Sequence, residues 1–140
     1  MARTQLAINV SDLEAAVAFY AKLLQMEPSK RRPGYANFAV GDPPLKLVLI
    51  EGEGPAGSLN HLGIEVDSSC EVSATASRFD ALGLDTLVED EVPCCYSVQD
   101  KVWVTDPDGA RWEVYTVLAD STIGTPGEQA PVAVTSAPTP

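Results

Sequence analysis

The stretch Thr4–Glu14, TQLAINVSDLE, reads as a β-strand that runs directly into the start of a helix. Thr4 to Val10 form the strand. Ser11 and Glu14 then stand three apart, the spacing of a capping box in which each side chain takes a backbone N–H of the first turn. Leu13, Ala16, Val17, Tyr20, Leu23 and Leu24 recur behind it at helical spacing, and Pro28 is expected to end the helix. The same pattern restarts at residues 60–71, NHLGIEVDSSCE. Asn60 to Val66 read as a strand, Ser68 and Glu71 repeat the cap spacing, and Val72, Ala76, Phe79 and Leu82 mark a second amphipathic helix. Gly83 suits its C-terminal end.

The two halves align residue by residue. Gln5-Leu6-Ala7-Ile8-Asn9-Val10 lies over His61-Leu62-Gly63-Ile64-Glu65-Val66, so that Gln5 falls on His61. Each half continues with strand candidates: YANFAV and LKLVLIE around GDPP in the first, LDTLVED, DKVWVTD and RWEVYT in the second. Asp106 to Gly109, DPDG, is a turn with proline at its first central position and glycine at its end. The order is therefore βαβββ twice, an α+β chain of one domain, residues 1–120, with modules over about 4–53 and 59–118. The connector GEGPAGS is expected to be flexible, and the Pro-, Ser-, Thr- and Ala-rich residues 121–140 to be a disordered tail.

Composition narrows the class of function. The 140 residues are 45% hydrophobic and 21% charged, an ordinary globular balance with enough chain for a sizeable core. Twenty acidic residues against nine basic ones give a formal charge of −11, and no basic run offers to neutralise phosphates. Nucleic acid and anionic membranes are not expected partners. With no apolar signal region, no membrane-length apolar stretch and an odd number of cysteines, a reducing cytoplasm is the expected location.

Four strand positions are equivalent under the repeat: Gln5, about Val48, His61 and Glu113. Three of these side chains carry lone pairs for a metal and the valine does not. Three protein ligands with open positions is the layout of a non-haem iron(II) site, usually two histidines and one carboxylate; here Gln5 would stand in for one imidazole. Each residue also has a plainer reading. Gln5 could lie at the surface, His61, the single histidine, could be structural, and Glu113, between Trp112 and Val114, could face water.

Cys94 and Cys95 are adjacent, too close for an easy disulfide and too few for structural zinc. They are either one buried thiol with an incidental neighbour or a soft two-thiolate clamp for cadmium or for trivalent arsenic, whose two exchangeable oxygens two thiolates would replace. Lys101 could favour the thiolate form, and Tyr96 could line the same pocket. Cys70, near the start of the second helix, reads as structural.

VSDLEAAVAFYAKLL and DPDGARWEVYT resemble the hallmarks of the vicinal oxygen chelate superfamily, which includes glyoxalase I, extradiol dioxygenases and bleomycin-resistance proteins. The resemblance covers approximately Thr4 to Asp120 and implies paired βαβββ modules forming a cupped mixed sheet. KRRPGYANFAV, PPLKLVLIE, LNHLGIEV and CCYSVQDKVWVTDPDGARWEVYTVLADS are similar to the ArsI/CadI group of organoarsenical C–As lyases and cadmium-induced proteins. That similarity implies Fe(II) held by Gln5, His61 and Glu113, and a trivalent organoarsenical held by Cys94 and Cys95. It also implies that dioxygen is used to break the carbon–arsenic bond and release arsenite. Some members of the group carry further cysteines in the tail; this tail has none. A non-enzymatic cadmium or arsenite binder and another dioxygenase of the superfamily are the alternatives. The first would need the thiols and be indifferent to Glu113. The second would have no need of paired thiols. Either a monomer or a homodimer is compatible with two modules in one chain.

Overall fold

The computed structural model describes residues 2–94 and 96–120, and of Cys94 and Asp120 the backbone. Cys95 and the expected tail lie outside the described residues. Ten elements follow in the order β1 (Arg3–Val10), α1 (Leu13–Leu24), β2 (Lys30–Arg32), β3 (Tyr35–Val40), β4 (Leu45–Glu51), β5 (Leu59–Glu65), α2 (Ser69–Ala81), β6 (Leu87–Cys94), β7 (Ser97–Thr105) and β8 (Arg111–Asp120). The α+β class and the twice-repeated βαβββ order are those read from the sequence. By their contacts the residues group into two compact units, Ala2–Ile64 and the chain from Glu65 onward. The sequence repeat places β5 at the start of the second module, whereas its contacts group it with the first unit.

In the N-terminal unit the strands lie in the order β2-β3-β4-β1-β5. β1 runs parallel to β4, and β3 antiparallel to it, so this is a mixed sheet. Leu13 and Val17 of α1 pack on Val10, Ala36, Phe38, Val40, Leu47 and Leu49, with Leu6 and Ile8 alongside. Phe38 and Leu49 are fully buried, each worth about 1.5–3 kcal/mol against exposure. Because side chains alternate across a strand, residues of the other parity point to the opposite face. There Gln5, Ala7 and Asn9 of β1, Lys46 and Val48 of β4, and Asn37 of β3 are buried too.

In the C-terminal unit the order is β8-β7-β6, antiparallel throughout. Val72 of α2 packs on Val102 and Val114, with Val66, Ala76 and Phe79 at the margin. Lys101 and Trp103 of β7, in register with Tyr115 and Glu113 of β8, occupy the other face. The DPDG turn forms as expected. Gly109 N–H donates to Asp106 O, the Asp106 carboxylate accepts from the backbone of Asp108 and Ala110, and Gly109 takes φ +91°.

The caps differ in an instructive way. At α2 Ser68 caps as expected, accepting from Glu71 N–H, and the Glu71 carboxylate reaches back to the Ser68 hydroxyl and to the backbone N–H of Asp67, one residue before the cap. Gly83, at φ +78°, follows the cap residue Leu82, and Leu84 N–H donates to Phe79 O to close the end. At α1 the cap is Asp12, not Ser11. Its carboxylate accepts from Ala15 N–H, while Glu51 accepts from Leu13 N–H. Glu14, which a box would have used, is paired with Arg31. A carboxylate meets the helix N-terminus with a full negative charge as well as a lone pair, which favours Asp12 over the neighbouring hydroxyl. Nor does Pro28 end α1: Gln25 does, in the left-handed conformation at φ 55°. Among the described residues no helix is long and apolar enough to cross a membrane.

The connector is not free. Gly57 N–H donates to Asn9 O, Asn9 N–H donates to Ser58 O, and the Asn9 side chain donates to Ser58 Oγ, so Asn9 pins residues 57 and 58 to β1. Two substitutions distinguish the α1 caps. Asp12→Ala should cost about 1 kcal/mol in urea-induced unfolding, and Ser11→Ala should stay within about 0.5 kcal/mol of the parent.

Candidate metal-ligand and thiol residues

The expected ligands on β1 and β5 meet. Gln5 Nε2 lies 3.1 Å from His61 Nε2, and the two residues are 3% and 5% exposed. Glutamine Nε2 can only donate, so His61 Nε2 is the acceptor. On the other side of the ring, His61 Nδ1 lies 2.7 Å from Asn60 Oδ1, an atom that can only accept. These two contacts are satisfied together when the Nδ1 proton faces Asn60 and the Nε2 lone pair faces the head of Gln5. Neutral imidazole with one nitrogen tied to an oxygen acceptor is the state in which histidine ligates metals. Glutamine would ligate through Oε1, which carries the lone pairs, so its carboxamide would have to turn from the orientation it holds toward His61.

Glu113 is 1% exposed, so the reading that it faces water does not hold. Its Oε1 accepts from Lys101 Nζ at 2.6 Å, an ion pair whose side chains are 2% and 1% exposed. The two residues are diagonal neighbours across β7 and β8, because Lys101 is in register with Tyr115 and Trp103 with Glu113. The ammonium also lies 5.3 Å from the centroid of the Trp103 ring and 5.7 Å from that of Tyr115, within cation–π range. Trp103 is oriented in turn by its Nε1–H, which donates to Glu89, and by the Arg111 guanidinium 4.2 Å from its centroid. Lys101, expected beside the thiols, thus has the Glu113 carboxylate as a partner. Val48, the fourth equivalent position, is fully buried in β4 and in register with Ala7 and Asn37.

Cys94 is the last residue of β6 and is in register with Ser97, the first of β7. Tyr96, half-buried, takes φ +61°, uncommon for an aromatic residue. Cys95 lies outside the described residues. Cys70 is exposed on the first turn of α2 and fills no core position, contrary to its structural reading. Among the described residues no three side chains drawn from His, Cys, Asp and Glu cluster to hold a metal; a Gln–His–Glu set contains only two of those types.

Asn60, Asn9 and Ser58 were not singled out from the sequence, although Asn60 meets His61 and is joined through Asn9 to Ser58. Asparagine is depleted in strands, and its presence in both β1 and β5 was the available signal.

Residues 3–114 match the family profile of the glyoxalase/bleomycin resistance protein/dioxygenase superfamily. The chain is 62% identical over 121 residues to the cadmium-induced protein CadI of Mycobacterium tuberculosis, covering 86% of this chain and 80% of that protein. It is 57% identical over 122 residues to a trivalent organoarsenical cleaving enzyme of Thermomonospora curvata, covering 86% and 81%. Among solved structures, an extradiol ring-cleaving dioxygenase from B. fuscum superposes with a TM-score of 0.61 at 21% identity, covering 84% of this chain and 33% of that one.

The buried ion pair makes a strong prediction for stability. Lys101→Met and Glu113→Gln should each destabilise the metal-free protein by about 3–5 kcal/mol, since each strands a buried partner. The double variant should lose less than the sum, as read from urea unfolding of all four proteins.

Proposed function

The chain belongs to the glyoxalase/bleomycin resistance protein/dioxygenase superfamily, and we propose that within it this protein is a C–As lyase that converts trivalent organoarsenicals to arsenite with Fe(II) and dioxygen. The observation that carries the reading is the 57% identity, over 86% of the chain, to a trivalent organoarsenical cleaving enzyme. The chemistry of the side chains supports it. Gln5 and His61 offer two neutral donors, and Glu113 one carboxylate, all buried. Together they are a borderline N/O set with a single negative charge, suited to a divalent first-row metal.

Fe(II) held by Gln5, His61 and Glu113 would supply the one-electron chemistry that lets dioxygen react with a closed-shell bond. The residues of the chain have their own tasks. Cys94 and Cys95 would exchange their thiols for the two oxygens of the arsenical, fixing As(III) through sulfur and leaving the organic group projecting. Docking by two bonds turns a bimolecular encounter into an intramolecular one. Lys101 holds Glu113 in one orientation through its hydrogen bond to Oε1. Tyr96, adjoining the thiol pair in sequence, would bound the organic substituent. The protein would work in the cytoplasm.

A second reading has its own observation, the 62% identity to a cadmium-induced protein. On it the chain sequesters cadmium or arsenite through Cys94 and Cys95 and turns nothing over.

Aerobic incubation of Fe(II)-loaded protein with a trivalent methyl- or phenyl-arsenical, followed by arsenic speciation, separates the two. The lyase reading expects arsenite only when iron and oxygen are both present. Glu113→Ala should reduce it to the level of the iron-free control, and Cys94→Ser or Cys95→Ser should abolish arsenical binding. Stoichiometric capture without arsenite, unchanged in Glu113→Ala, would leave the thiol binder.

A further inference from the structure

We infer that a one-way chain of hydrogen bonds, running from the inter-module connector through Ser58, Asn9 and Asn60, sets which nitrogen of His61 carries the proton. The chain begins at an atom with no proton to give. The Pro55 carbonyl accepts from Ser58 Oγ–H at 2.5 Å. With its proton so committed, Ser58 Oγ accepts from Asn9 Nδ2 at 2.9 Å. That places Asn9 Oδ1 toward Asn60, where it accepts from Asn60 Nδ2 at 3.0 Å. Asn60 Oδ1 then faces His61 Nδ1 at 2.7 Å, and His61 Nε2 accepts from Gln5 Nε2 at 3.1 Å.

Every link is polar in one direction only. Turning over Asn9 alone would set donor against donor at the Asn9–Asn60 contact and oxygen against the committed Ser58 oxygen, and turning over Asn60 alone would set oxygen against oxygen there. The fixed polarity of a backbone carbonyl is thus transmitted through three side chains, Ser58, Asn9 and Asn60, to His61. All six residues belong to the N-terminal unit. Asn60 is a positioning residue: it acts through His61 and has no need to touch metal or substrate. Gly54 guards the chain from outside, since a Cβ there would stand 2.8 Å from Asn9 Nδ2.

The inference rests on the proposed function only for its consequence, a change in metal affinity. The tautomer itself is read without metal. His61 is the single histidine, so protein labelled with ¹⁵N-histidine gives one pair of ring nitrogens. Two-bond ¹H–¹⁵N spectra of the metal-free full chain, at roughly pH 8 where a free imidazole is neutral, report which nitrogen is protonated. The parent should show a single species with the proton on Nδ1. Asn60→Asp, which keeps an oxygen acceptor, should do the same. Asn60→Leu should move the proton largely to Nε2. Ser58→Ala and Gly54→Ala, remote from the ring, should yield a mixture of the two forms. Anaerobic Fe(II) affinity, measured by competition with a chromogenic chelator, should fall about 10–100-fold in Asn60→Leu and recover in Asn60→Asp.

A proton that stays on Nδ1 in both Asn60→Leu and Ser58→Ala would overturn the inference whatever the metal result. A proton that moves while Fe(II) affinity holds would uphold the chain and count against His61 as a ligand, which separates the two claims.

Discussion

The structure is governed by the burial of β1 on both faces. One face, with Leu6, Ile8 and Val10, closes on α1 and is satisfied by apolar contact. The other holds Gln5, Ala7 and Asn9, and its polar groups have left water. A buried amide or imidazole without a partner costs roughly 1–3 kcal/mol, so this face is stable only as a connected network. The pairing of Gln5 with His61 and the bonds of Asn9 to Ser58 and Asn60 meet that demand. The C-terminal unit meets it with charge instead, joining Lys101 to Glu113 between Trp103 and Tyr115.

Much of this was legible in the sequence because the repeat is local in its grammar. Strand, cap and helix follow one another within about twenty residues, so TQLAINVSDLE and NHLGIEVDSSCE expose the βαβββ plan and bring Gln5 onto His61. The turn at Asp106–Gly109 is written in its own four residues. What was not legible depends on residues far apart in the chain. Asn9 and Ser58 are 49 positions apart, and Asn60 and Asn9 are 51; no spacing rule connects them. Lys101 was read beside the thiols by proximity in sequence; what no local spacing shows is that strand alternation and antiparallel register also bring it diagonally to Glu113, twelve residues on. The helix α1 cap was misplaced by one residue for a similar reason: Glu14 is drawn off by Arg31 from another strand, and Glu51 from β4 supplies what a local box would have supplied.

The connector shows how composition can mislead. GEGPAGS has the glycine and proline content of a flexible link, yet its end is bound to both backbone polar groups of Asn9 and to its side chain. Its small residues serve close approach as much as freedom: Gly54 stands where a methyl group would strike the Asn9 amide. The segment that joins the modules is thereby part of the support for His61.

Neutral and charged solutions to burial have different consequences for a cation. Gln5 meets His61 by a hydrogen bond and not by an ion pair, so a metal arriving there displaces no cation from Gln5. Glu113 already has its cation in Lys101. If Glu113 takes a metal as proposed, the carboxylate passes from one positive partner to a shared arrangement, and on metal loss it returns to Lys101. Neither state strands a buried anion, which is the condition that makes broken buried ion pairs so costly. A structural zinc site lacks this provision, and its apo form unfolds. With Lys101 beside it, Glu113 keeps a cationic partner whether or not a metal is bound.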